Sequence, residues 1–310
     1  MDRRSFLKSG AAAGLLMTTP LGLADVRPKV RKLTILHTND QHSRIEPFEV
    51  SDNERTSNRG GFARRSALIN KIRTEEENVL LLDSGDIFQG TPYFNFFGGE
   101  LEFRLMSKMG YAASTIGNHE FDNGLKGLKD MLPHADFDFV ISNYDFSNTM
   151  LDGEFLTHKI MQIQGLRVGM FGLGVQLDGL VSESLSLETK YLDPYEIAQD
   201  MVSLLQAKRC DLIICLSHIG YDYRNDSQRP SDLKLAKRVP GIDLILGGHT
   251  HTFLEQADRI VRDDGSEVLV NQVGWAGLYL GRIDVHFGND GRKKYLTQAL
   301  AIDEAFTQMG

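Results

Sequence analysis

Five short segments carry side chains able to bind cations: Asp40 and His42 in NDQH, Asp86 in GDIFQG, Asn118 and His119 in GNHEFD, His218 in LSHIG, and His249 and His251 in GGHTH. Carboxylate, amide and imidazole donors without a thiolate suit Mn, Zn, Fe or Co better than Ca. Singly, each segment says little. An Asp after a strand is more often a turn or cap residue, and a His after an apolar run is more often a satisfied structural one. Their joint occurrence at the ends of apolar runs is more telling, because an open α/β sheet builds its site from several strand ends. Where backbone stays extended, residues two apart project to one side with Cα atoms ~6.6 Å apart. Asp40 and His42 can then share one ion, while His249 and His251 can each reach a different ion of a pair ~3.5–4 Å apart.

The elements that must position these groups alternate between β-rich and helical patterns. KLTILHTND, NVLLLDSGD, AASTIGNHEFD, FDFVISN, LRVGMFGLGV, CDLIICLSH and GIDLILGGH read as strands. GGFARRSALINKIRTEE, GELEFRLMSKMG and PYEIAQDMVSLLQAKR read as helices, the second ending at Gly110. From Phe253 to Ile302 the alternation is again β-like. This order predicts an α/β protein whose sheets are covered by helices. The long polar stretch from Ser43 to Gly61 is of the kind that is usually functional or mobile.

Of the 310 residues 41% are hydrophobic, enough for a proper core, and the formal net charge is −8. Residues 1–24 sum to +2, which leaves −10 for the remainder. An acidic body repels long polyanions, so a nucleic acid polymer is not an expected partner, whereas small phosphate esters held by local cations are. Cys210 and Cys215 lie five apart in CDLIIC. On one strand they would face opposite sides with Cα atoms ~16 Å apart, which excludes a disulfide between them.

The N-terminus, MDRRSFLKSGAAAGLLMTTPLGLAD, resembles a twin-arginine export signal. Arg3 and Arg4 precede a short apolar stretch, and small residues at Gly22 and Ala24 suit cleavage after Ala24. The stretch falls below the ~18 apolar residues that span a bilayer, so no transmembrane segment is expected. This predicts a signal at 1–24, a catalytic domain at 25–310, and a periplasmic or extracellular location. A basic tail or an amphipathic first helix is the alternative.

Taken in order, NDQH, GDIFQG, GNHEFD, SHIG and GGHTH resemble the calcineurin-like metallophosphoesterases. The longer blocks LTILHTND, LLLDSGDIFQGTPY and IGNHEFDNG resemble the 5′-nucleotidase branch, which includes periplasmic UDP-sugar hydrolases. The likeness runs from about Leu33 to Leu280. It implies a four-layer α/β/β/α sandwich with two facing mixed sheets and a two-metal site at one edge. Position by position, it implies Asp40, His42, Asp86 and His251 on the first metal. Asp86 would bridge to a second, completed by Asn118, His218 and His249. His119 matches the catalytic histidine and Asp122 its acidic partner; Asn118 is also a candidate substrate contact. Three residues after His119, Asp122 can accept a hydrogen bond from the imidazole, the alternative being a helix N-cap ahead of NGLKGLKDM.

The implied chemistry is attack of a metal-bound hydroxide on a phosphate monoester, nucleotides foremost. Two divalent ions outweigh Asp40, Asp86 and a bridging hydroxide by about one positive charge, which attracts phosphate into an acidic protein. A phosphodiesterase or pyrophosphohydrolase, on cyclic nucleotides or nucleotide sugars, is the second reading; a non-catalytic metal-binding subunit of an exported complex is the third. Members of the branch usually carry a C-terminal domain that holds the nucleoside and supplies phosphate-binding arginines; this implies either a separate partner chain supplying that part or an open site that accepts a broader set of phosphate esters. His37, His134, His158 and His286 read as structural or surface residues. Gln89 reads as a loop brace, Arg44 and Glu46 as groups supporting the ligands, and Tyr93, Phe94, Phe96 and Phe97 as packing or as a pocket for a base.

Overall fold

Apolar residues that alternate along the strands sort themselves onto two faces, and this parity builds the architecture. The computed structural model describes residues 32–306; the expected export signal lies outside them. The chain runs through β1 (Lys32–Thr38), α1 (Phe62–Glu75), β2 (Val79–Asp83), α2 (Pro92–Phe97), α3 (Glu100–Met109), β3 (Ala113–Ser114) and α4 (Gly124–Met131). Next come β4 (Asp138–Phe139), β5 (Tyr144–Asp145), β6 (His158–Ile163), β7 (Leu166–Leu173), α5 (Glu183–Ser186), β8 (Lys190–Tyr191) and α6 (Pro194–Ala207). The last part holds β9 (Leu212–Ser217), α7 (Asp232–Arg238), β10 (Leu244–Leu246), β11 (Asp258–Val261), β12 (Glu267–Asn271), β13 (Tyr279–Phe287) and β14 (Lys293–Ala301).

Two six-stranded sheets form, in the orders β14-β13-β1-β2-β3-β4 and β11-β12-β10-β9-β7-β6. In the first, β1 to β4 are parallel and β13 and β14 add antiparallel strands at one side. In the second, β7, β9, β10 and β12 are parallel, flanked by antiparallel β6 and β11. Both sheets are therefore mixed, as expected.

Leu33, Ile35, Leu80, Leu82, Ile283 and Val285 of the first sheet pack against Val168, Met170, Leu212, Ile214, Leu244 and Leu246 of the second, forming the inner core. The intervening positions face outward. Leu36 and Leu81 meet α1, α3 and α4 through Ile69, Phe103 and Leu125; Phe171, Ile213 and Ile245 meet α6 and α7 through Val202 and Leu235. Each such fully buried aliphatic side chain contributes about 2 kcal/mol. Four layers, α/β/β/α, follow from these three cores. Helix α6 shows how the sequence starts an element: Pro194 takes the first helical position, and the Asp193 side chain accepts hydrogen bonds from the Tyr195 and Glu196 amides at 2.8 and 3.0 Å.

Some expectations need correction. AASTIG and FDFVIS yield strands of only two residues each. Cys210 precedes β9, so strand parity does not govern it, and it borders the same outer core as Cys215 instead of facing away; both thiols are free. The aromatic run is helix α2, with Phe94 buried and Phe96 82% exposed. His37 lies fully buried between the sheets, its Nε2 3.0 Å from Asn271 Nδ2, and burial pushes its pKa down to about 3. It is a structural histidine, as expected. No helix among the described residues is long and apolar enough to cross a membrane.

Candidate metal centre

The five motif segments follow the C-terminal ends of β1, β2, β3, β9 and β10, all parallel strands, so both sheets deliver their loops to one edge. There the structure brings Asp40, His42, Asp86, Asn118, His218, His249 and His251 together. Ligand atoms of Asp40, His42 and His251 converge closely enough to hold a metal ion, and so do those of Asp86, His218 and His249. His42 Nε2 and His251 Nε2 are 2.9 Å apart, His251 Nε2 is 3.4 Å from Asp40 Oδ1, and His218 Nε2 is 3.0 Å from Asp86 Oδ2. His249 Nδ1 faces Asn118 Oδ1 at 2.9 Å.

The backbone reason differs from the one read off the sequence. Asp40, His42, Asp86, His249 and His251 all have positive φ, between 47° and 74°, so these segments are tight turns and not continued strands. A non-glycine residue held there is strained, and such strain collects at functional sites. Asp40 and His42 do meet, but through a turn.

A tight neighbour packing aims the side chains. A Cβ on Gly117 would lie 2.2 Å from Asp86 Oδ1 and 2.5 Å from His218 Nε2, so only glycine lets these groups approach. Asn39 donates to Asp40 Oδ2 and to the Gly274 carbonyl, both at 2.6 Å, which ties the first turn to the loop between β12 and β13. His218 donates from Nδ1 to the Ser84 carbonyl at 2.6 Å, leaving Nε2 as the free donor atom. That Nε2 is fully buried and faces Asp86 Oδ2 at 3.0 Å and Asp40 Oδ1 at 3.9 Å, with no neutral partner. A buried imidazole nitrogen with carboxylates as its only near neighbours fits a divalent cation, which would take the place of the proton now shared with Asp86.

Burial works against protonating His218, yet the charges of Asp86 and Asp40 hold it up at about 10. The site's field thus favours positive charge, which is what a cation would supply. Burial and the charge of His218 together press His249 down to about 4, keeping its imidazole neutral and ligand-competent.

His119 sits beside this cluster. Its amide donates to Asp86 Oδ1 at 2.9 Å, and its Nδ1 is 2.9 Å from Asp122 Oδ2. Burial lowers its pKa, but the Asp122 hydrogen bond and the Asp86 charge outweigh this and lift it to about 9. Asp122 is not the helix cap: α4 begins after Asn123. His119 also lies close enough to His42 and Asp86 for a metal to be shared among the three, though its Nδ1 is engaged by Asp122.

Sequence reasoning missed Glu120. This fully buried carboxylate accepts from the amides of Asp86, Ile87, Phe88 and Gly117 at 2.6–3.3 Å, bolting the GDIF and GNHE loops together. Burial and the nearby Asp86 raise its pKa to about 7, whereas four amide donors call for the ionised form. The segment GNHEFDN is polar almost throughout, so no local signal set Glu120 apart. Arg229, from a loop with no motif, reaches to 3.4 Å from His249 Nε2. Arg44 and Glu46, expected to support the ligands, have other partners: Arg44 lies over the Phe48 ring at 4.0 Å and Glu46 accepts from Tyr93 Oη at 3.1 Å. Phe48 in turn packs on Trp275, which stacks on His251.

With this geometry in view, the comparisons place the chain. Residues 33–253 match the calcineurin-like phosphoesterase family, and the chain belongs to it. It is 34% identical over 279 residues to a snake venom 5′-nucleotidase of Crotalus adamanteus, a match covering 84% of this chain and 46% of the relative. Among solved structures it is similar to the 5′-nucleotidase precursor of Thermus thermophilus, with a TM-score of 0.80, 36% identity, and coverage of 89% of this chain and 55% of that one. The calcineurin-like phosphoesterase YfkN of Bacillus subtilis shares the fold, with a TM-score of 0.70 at 24% identity over 90% of this chain and 95% of that one. The chain spans about half the length of the curated relatives it matches.

Proposed function

We propose that the protein is an exported hydrolase of phosphate monoesters, nucleotides foremost, that works with two divalent cations. What supports this is the convergence of seven donor side chains on one sheet edge around the buried His218–Asp86 contact. Asp40, His42 and His251 would hold one cation and Asn118, His218 and His249 the other, with Asp86 available to both. When bound, the cations acidify water into a nucleophile and offset charge on the phosphoryl oxygens.

The protein's own groups do the rest. Asn118 contacts the phosphoryl group as well as its cation. His119, kept protonated by Asp122, stabilises developing charge and gives a proton to the leaving oxygen. The catalytic domain is 25–310, and the signal at 1–24 delivers it to the periplasm or beyond.

Metal-loaded protein should hydrolyse p-nitrophenyl phosphate faster than bis(p-nitrophenyl) phosphate. A chelator should abolish turnover, manganese or zinc should restore it, and elemental analysis should find two ions per chain. Faster turnover of the diester would favour the phosphodiesterase reading. No turnover of either ester by loaded protein would leave a metal-binding component.

A further inference from the structure

A cleft of about 510 Å³ adjoins the metal centre, joined to it by Ile219, the residue after His218, and by Arg229. Its walls include Gln176 and Asp178 after β7, Tyr191 of β8, and Asp226 and Gln228 from the loop before α7. Arg229 is the one cationic residue on this lining.

The loop holds Arg229 in place from both sides. Asp226 Oδ1 accepts from the amides of Gln228 and Arg229 at 3.0 and 3.1 Å, and Lys234 Nζ donates to the carbonyls of Asp226 and Arg229 at 2.9 and 2.6 Å. The guanidinium lies over the Tyr223 ring at 4.0 Å, and Tyr223 is anchored in turn by donating to the Ile219 carbonyl at 3.0 Å. Arg229 Nη2 then stands 3.4 Å from Nε2 of His249, on the ring's far side from Asn118. Among the described residues no carboxylate oxygen comes within 4.0 Å of its guanidinium, although the Asp226 charge acts on it from the same loop. A planar fork of donors, stacked, half-buried and in no close ion pair, is suited to bidentate capture of a phosphoryl group.

We propose that this cleft is the leaving-group subsite and that Arg229, beside His249 where the cleft meets the metal centre, clamps the phosphoryl group of the substrate. The inference rests on the phosphoester-hydrolase reading above and narrows its substrate class. The cleft offers carboxylate and amide groups at Asp178, Asp226, Gln176 and Gln228, which hydrogen-bond hydroxyls and repel additional phosphates. It therefore takes an uncharged, hydroxyl-bearing group of the sugar or nucleoside type, attached to a single phosphate, and disfavours di- and triphosphates.

Calorimetry with inorganic phosphate, run on the manganese-loaded full chain, tests the clamp without requiring turnover. Arg229→Gln should weaken phosphate binding and raise KM for 5′-AMP roughly ten- to a hundredfold, the worth of a charge-assisted hydrogen bond. Manganese content and Tm should match the wild type. Asp178→Ala should narrow the preference for 5′-AMP over both ATP and p-nitrophenyl phosphate. The inference is overturned if Arg229→Gln binds phosphate with unchanged affinity, or if it loses manganese, which would make Arg229 a prop for His249. Should the wild type hydrolyse neither ester, the hydrolase reading fails, and the phosphate titration still decides on the clamp.

Discussion

His119 combines an engaged Nδ1 with an Nε2 free to act, and its partner decides its charge. Asp122 at 2.9 Å stabilises the imidazolium, and with Asp86 it lifts the pKa to about 9 against burial. If the protonated form is the active one, activity falls as pH rises through that value. Asp122→Asn should move the alkaline limb of the pH–kcat profile to lower pH, since the group that favours the proton is gone; an unmoved limb would detach Asp122 from this role. His119→Ala should lower kcat by about 10²–10⁴ with metal content retained. Metal lost along with activity would put His119 among the ligands. Glu120 tests a different property. Exchanging it for Gln places an amide against backbone donors that need acceptors, so Glu120→Gln should cost about 3 kcal/mol in denaturant unfolding and loosen metal binding.

At the scale of elements, ligand loops from separate strands must close on one another, and small residues set how near they come. Gly117→Ala would drive a methyl group into Asp86 and His218. It should abolish metal retention, read by elemental analysis, while metal-free Tm changes little. Between the sheets, His37 makes an acid-sensitive joint. Its folded pKa of about 3 lies below the ordinary 6.5, so the unfolded chain takes up a proton that the folded chain refuses. Stability is therefore full above 6.5 and lost as pH falls toward 3, at up to about 1.4 kcal/mol per pH unit. Metal-free His37→Leu protein should show a flatter decline in unfolding free energy from pH 6.5 to 4 than the metal-free parent. The long apolar strands and the amphipathic helices α1, α3 and α6 were legible because burial imposes periods of two and of about 3.6. Helix α2 was not, since PYFNFF buries only Phe94 and shows no period. Nor was α7, a seven-residue helix too short to display one.

For the whole molecule, export is the proposal that stands furthest from the folded domain. Changing Arg3 and Arg4 to Lys should leave the protein in the cytoplasm, followed by fractionation and immunoblotting; undiminished export would remove the location. The sequence by itself determined the α/β class, the motif segments and the donor chemistry, because local composition and strand periodicity carry that information. What only the tertiary structure decided was the approach: left-handed turns at Asp40, Asp86 and His249, the clearance at Gly117, the Glu120 bolt, and Arg229 above its tyrosine. Those depend on contacts between residues far apart in the chain, where two sheets meet at one edge, and no local pattern encodes a distance across that gap.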